Sequence, residues 1–126
     1  MMLVLDASAV LAVLFREAGA DVVLAHSNGA MLSSVNYCET VSRAVDRGVP
    51  ATLVQSSIAR MRLGIVPFDL AHAEAAAALR APTRHAGLSL GDRACLALAK
   101  LSGARALTAD RAWAGLDLGI DIRLIR

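Results

Sequence analysis

The first residues restrict the fold most. Positions 2–5, Met-Leu-Val-Leu, form a short unbroken apolar run that Asp6 closes abruptly. A strand with one wet face alternates apolar and polar residues, whereas an unbroken run marks a strand covered on both faces. Ala30-Met31-Leu32, Ile65-Val66 and Arg105 to Leu107 read as three further short strands. Residues 120–125 (Ile-Asp-Ile-Arg-Leu-Ile) alternate instead, the pattern of a half-exposed edge strand.

Helical segments lie between these strands. Asp6-Ala7-Ser8 opens one that runs through about Phe15, and a second runs from about Ala20 to His26. Ser33 or Ser34 caps a third, which Gly48 closes, with Val35, Cys38, Val41 or Ser42, and Val45 as its expected inward stripe. Pro50 starts a helix expected to reach about Leu63. Asp69 caps a long Ala-rich helix ending near Arg80, and Ser89 caps another through Leu101, stopped by Gly103. Short strands alternating with helices predict an α/β fold, a mainly parallel sheet with helices on both faces. A chain of 126 residues has room for one core, so residues 1–126 are expected to form one domain.

Composition adds limits. Apolar residues make up 56%, with only two Phe, one Tyr and one Trp, so Ala, Leu and Val must fill a closely packed interior. A net charge of +2 does not assign the chain to nucleic acid, since surface patches outweigh totals. The basic side is almost all Arg, with Lys100 the one lysine; Arg suits bidentate phosphate contacts, though genome composition also produces such a bias. Cys38 and Cys95 form no CxxC pair and no disulfide framework, which suits a reducing cytosol, and both are expected to pack in the interior. The apolar start from Met1 lacks a basic leader, and no run approaches the roughly 18 apolar residues of a membrane span. A cytoplasmic protein without a membrane partner is expected.

In an open parallel sheet, function gathers at the carboxyl ends of the strands. Asp6 directly follows the first strand and Asp110 the fourth, while Asp92 lies in the first turn of the Ser89 helix and Glu39 in the second turn of the third. Clustered carboxylates repel one another, so a cation or protons must relieve them. Hard Mg²⁺ or Mn²⁺ favours such oxygen ligands and supplies what phosphodiester hydrolysis needs. Each acid also has an ordinary role. Asp6 suits a helix cap, Asp110 a turn, Asp92 a capping box with Ser89, and Glu39 an ion pair with Arg43 one turn on.

The wording of the motifs goes further. Leu5-Asp6-Ala7-Ser8-Ala9, Asn36-Tyr37-Cys38-Glu39, Leu88 through Ala99 with Ser89 and Asp92, and Leu107 through Trp113 resemble the motifs of PIN-domain toxins of the VapC type. The order Asp, Glu, Asp, Asp is also that family's, and the match covers essentially the whole chain. The resemblance implies a three-layer α/β/α sandwich, Mg²⁺ or Mn²⁺ in an acidic pocket, and endonucleolytic RNA cleavage. It also implies an antitoxin partner and a homodimer. By position, Asp6, Glu39 and Asp92 would hold or orient the metal and Asp110 would complete the pocket. Asp117 and Asp121 lie near enough to compete for that fourth place. Ser8 and Thr108 match small hydroxyl residues beside the metal, and Asn36 a polar residue one turn before the Glu.

Other residues read plainly. His26, His72 and His85 lack an orienting acid near a strand end, and Asp69 reads as a cap. Arg93 and Arg111 suit either RNA phosphate or solvent. Trp113 reads as a hydrophobic anchor beneath the last loop. A receiver domain wants an aspartate ending the third strand, where Val66-Pro67 stands, and a haloacid-dehalogenase-type phosphatase wants a second acid where Ser8 stands. The turn after the first strand has no glycine for a dinucleotide. A partner-binding module without nuclease activity is the remaining alternative, and an RNA cleavage assay separates the two.

Overall fold

A computed structural model describes residues 2–126; Met1, the first residue of the apolar start, lies outside them. In chain order the elements are β1 (Leu3–Leu5), α1 (Ala7–Leu14), α2 (Ala20–His26), β2 (Met31–Ser33), α3 (Ser34–Asp46) and α4 (Ala51–Arg60). They continue with β3 (Gly64–Val66), α5 (Leu70–Ala78), α6 (Arg80–Thr83), α7 (Leu90–Ser102), β4 (Arg105–Thr108) and β5 (Ile122–Leu124). Among the described residues, no helix is long and apolar enough to cross a membrane.

All strand pairings are parallel, in the order β3-β2-β1-β4-β5. The sheet is therefore wholly parallel, and β5 is the edge strand that its alternation predicted. From β1 the chain steps outward through β2 to β3, then returns across the sheet to β4 and β5. The direction reverses between β1 and β4, where Leu3, Val4 and Leu5 stand opposite Arg105, Ala106 and Leu107. That reversal opens a crevice at the strands' carboxyl ends.

The strand period of two sends alternate residues to opposite cores. Leu5, Leu32 and Leu107 join Val10, Val23, Ala44, Val54 and Ile58, so α1 to α4 cover one face. Val4 and Ala106 join Ala76, Cys95, Leu96, Leu98 and Trp113, so α5 and α7 cover the other. This is the α/β/α sandwich that the run at 2–5 required. Trp113 is fully buried, as its reading as an anchor expected.

Three local expectations need correction. The inward face of α3 is Asn36, Thr40 and Ala44, whereas Cys38 and Val45 are exposed. Hydropathy misplaces this face because its polar groups are bonded: Asn36 Nδ2 donates to the Gly91 carbonyl at 2.9 Å and Thr40 Oγ1 to the Asn36 carbonyl at 2.7 Å. Helix α4 stops at Arg60 rather than Leu63, since Arg62 takes a positive φ of 56° that a helix does not allow. The Ala-rich helix ends at Ala78 and restarts as α6, which holds Pro82 within its single turn.

Candidate active site

Each site residue is delivered by a strand end or the helix after it. Asp6 leaves β1 as the N-cap of α1, with its amide donating to the Leu107 carbonyl of β4 at 2.9 Å. Ser8 lies in the first turn of α1, Thr108 ends β4, and Asp110 caps the 3-10 turn at Arg111–Trp113. Glu39 projects from α3, and Asp92 from the first turn of α7. One pocket of about 360 Å³ is lined by Asp6, Ser8, Glu39, Asp92 and Asp110, with Arg43, Ser89 and Arg126 at its sides. The four acids therefore come together at the switch point. Asp117 and Asp121 stay outside; Asp121 pairs with Arg105 at 2.7 Å.

The ordinary roles of these acids coexist with their meeting. Asp92 and Ser89 form a full capping box, Glu39 pairs with Arg43 at 3.1 Å, and Asp110 Oδ1 accepts from the Ala112 amide. Asp6 behaves differently: although it occupies an N-cap, its side chain caps nothing. Its Oδ2 instead accepts from Ser8 Oγ at 2.7 Å and from Thr108 Oγ1 at 3.0 Å. Each hydroxyl has one proton to give, and each also accepts an amide, Ala109 N on Ser8 and Asp110 N on Thr108. These two hydroxyls fix the Asp6 carboxyl with the backbone of the β4 end as their anchor.

Burial pushes the Asp6 pKa up to about 6, and the Asp92 and Glu39 carboxylates push the same way, against the two hydroxyls. Asp110 is exposed and sits at the rim. The Cys95 thiol, buried one turn after Asp92, is also raised, by burial first and then by Asp6, Asp92 and Glu39. Among the described residues, no three acidic, His or Cys side chains are gathered closely enough to enclose an ion as they stand. The donor set nevertheless fits a hard cation: all oxygen, several carboxylates in one pocket, one of them raised by burial first and by its acidic neighbours second.

Two neighbours with a motif or phosphate reading hold structural places instead, and a third carries no motif signal. Asn36 lies beneath the pocket rather than in it, tying α3 to α7, and its Oδ1 has no partner among the described residues. Arg93 suits phosphate by sequence, but its guanidinium donates to the Ala76 carbonyl and so braces α7 against α5. Arg126 carries no motif signal. It reaches the pocket because Ile125 donates to the Thr108 carbonyl, extending the β4–β5 ladder. The chain end then docks on the turn before α2, where a Cβ on Gly19 (φ +94°) would stand 2.6 Å from the Ile125 carbonyl oxygen.

A wholly parallel sandwich with an acid-lined pocket at its switch point defines the class. The PIN domain family matches residues 3–117, and the chain belongs to that family. Among solved structures, the fold is similar to a toxin–antitoxin complex from Klebsiella pneumoniae, with TM-score 0.75 and 21% identity over 98% of this chain and 97% of that one. It is also similar to DNA-bound VapBC from Salmonella typhimurium, with TM-score 0.75 and 18% identity over 100% and 99% of the two chains. VapBC-1 from nontypeable Haemophilus influenzae gives TM-score 0.74 and 12% identity over 99% and 98%. At these identities the likeness is one of fold, and it agrees with the VapC-type wording of the motifs. No curated protein matches the sequence.

Proposed function

We propose that the chain is a Mg²⁺- or Mn²⁺-dependent endoribonuclease acting as the toxin of a toxin–antitoxin pair. The observation that carries this reading is the pocket where Asp6, Glu39, Asp92 and Asp110 meet, with the Asp6 carboxyl raised by burial and, to a lesser degree, by Asp92 and Glu39. Family membership and the toxin–antitoxin complexes of similar fold support it. A divalent ion held by Asp6, Glu39 and Asp92 would activate water and neutralise charge developing on the phosphodiester. Ser8 and Thr108 keep the Asp6 carboxyl in one orientation through their hydroxyl protons. Asp110 closes the rim, and Arg43 and Arg126, which also line the pocket, carry guanidinium groups of the kind that suits RNA phosphate.

An unrestrained ribonuclease would harm its own cell, so the reading includes a cognate antitoxin in the cytoplasm. The anionic pocket offers an inhibitor a hold for an Arg or Lys side chain that displaces the metal. An apolar groove of about 350 Å³ between α1, α3 and α4, lined by Leu14, Phe15, Val49, Leu53 and Val54, offers an amphipathic segment a second hold. The VapC resemblance adds a homodimer of the toxin.

The test is cleavage of RNA by the purified chain with and without Mn²⁺, with the cut ends mapped, and again after co-purification with the neighbouring gene's product. Cutting only with metal, and none in the complex, is the expected result. Equal cutting in the presence of a chelator would overturn the metal role, and equal cutting by the complex would overturn pocket blocking.

A further inference from the structure

Gly91, between the cap residue Ser89 and Asp92, lies against the Glu39 carboxylate. A Cβ built on Gly91 would stand 2.8 Å from Glu39 Oε1 and 3.1 Å from both Cδ and Oε2. Real Cβ atoms do not approach oxygen that closely, so the present seat of the carboxylate exists because position 91 has no side chain. The Gly91 carbonyl also accepts from the buried Asn36 Nδ2 at 2.9 Å. One residue thus joins the helix bearing Asp92 to the helix bearing Glu39, through a backbone bond below and an absent side chain above.

We infer that Gly91 is a positioning residue: its missing Cβ lets Glu39 close on Asp6 and Asp92 to complete the cation site. The inference rests on the metal-dependent reading above. What a methyl group at position 91 would meet is the far end of a flexible side chain, not backbone. The helix therefore stays and Glu39 moves. Alanine also costs less backbone entropy than glycine in a helical turn, here the first turn of α7, so fold and site respond in opposite directions.

In Gly91→Ala the thermal midpoint is expected to hold or rise, while Mn²⁺ affinity, read by calorimetry or Mn²⁺ resonance, falls roughly tenfold or more. Adding Glu39→Asp withdraws the carboxylate by one methylene from the new methyl. The double variant should then lose less affinity than the two single losses combined. Wild-type Mn²⁺ affinity in Gly91→Ala would overturn the inference alone. Unfolding of that variant would overturn it too, because the clash would then lie with backbone. Strictly additive losses would remove the steric link. A wild-type chain that takes up no Mn²⁺, or takes it up equally in Asp6→Asn, would overturn the metal reading and this inference with it.

Discussion

Two neighbouring steps along the central strand pair show how one degree of burial has opposite consequences. Leu5 and Leu107 face each other across β1 and β4, both fully buried in the α1–α4 core. One residue onward stand Asp6, 4% exposed, and Thr108, 0% exposed. At the leucines, burial removes apolar surface from water and stabilises the fold. At Asp6 it disfavours the ionised form, enough to outweigh two hydroxyl donors and raise the pKa to about 6. The leucine layer holds the strands in register, and the next layer holds a charge that the fold alone does not satisfy.

The sharpest way to break this comparison is to neutralise the polar layer. Asp6→Asn keeps size and shape but removes a charge that a cation needs, so RNA cleavage should fall by about a thousandfold or more. Rate measurements at saturating Mn²⁺ check this. Near-normal turnover would show that the buried carboxyl is a structural group. The matching change in the apolar layer is Leu5→Ala, which should cost about 3 kcal/mol in denaturant unfolding while the folded fraction still cuts. If Leu5→Ala lowered turnover per folded molecule as far as Asp6→Asn, the two layers would not be separable.

The same contrast explains what was legible in the sequence. The apolar layer announces itself by pattern: Met-Leu-Val-Leu has to be covered on both sides, and the strand–helix alternation then leaves few topologies. The acids were legible because strand ends deliver them, Asp6 from β1 and Asp110 from β4. What pattern hides is polar burial. Asn36 and Thr40 face inward on α3 because backbone carbonyls accept their protons, and a hydropathy stripe turns the helix toward Val35, Cys38 and Val45 instead. Gly91 was hidden for a related reason, since its role is to leave space for a side chain 52 positions earlier. Arg126 comes from the ladder that continues past β5, which no local motif encodes.

A third prediction uses pH. The Asp6 pKa is raised in the folded chain from an ordinary value of 3.8 to about 6. The folded state thus binds this proton more tightly than the unfolded one. That contribution to stability is fully present below pH 3.8 and is lost as pH rises through about 6. Asp6→Asn lacks the titration, so without metal it should be more stable than the wild type at pH 7, by on the order of 3 kcal/mol for the shift from 3.8 to about 6. The difference should vanish below pH 4, and saturating Mn²⁺ should restore wild-type stability by binding the folded state alone. Chemical unfolding at pH 3.5, 5 and 7, with and without Mn²⁺, measures all three. A wild type more stable than Asp6→Asn at pH 7 in chelator would contradict the raised pKa of Asp6.

The smallest effect belongs to Asp110, which also follows a central strand but stands exposed at the rim. Its Oδ1 caps the turn at Arg111–Trp113, and asparagine accepts the Ala112 amide as well as aspartate does. Asp110→Asn should therefore leave the unfolding midpoint within about 0.5 kcal/mol of wild type at every pH. Asp110 is not among the groups that raise Asp6, so the Asp6 titration should also be unmoved. Cleavage should fall by about tenfold, the scale of a group that supports a metal ligand from outside, with Mn²⁺ affinity changed less than in Asp6→Asn. Turnover and Mn²⁺ binding measured on the same preparations decide the matter. If Asp110→Asn proved as inactive as Asp6→Asn and equally poor at binding Mn²⁺, exposure would be no guide to ligation here, and the rim acid would join Asp6, Glu39 and Asp92 as a direct ligand.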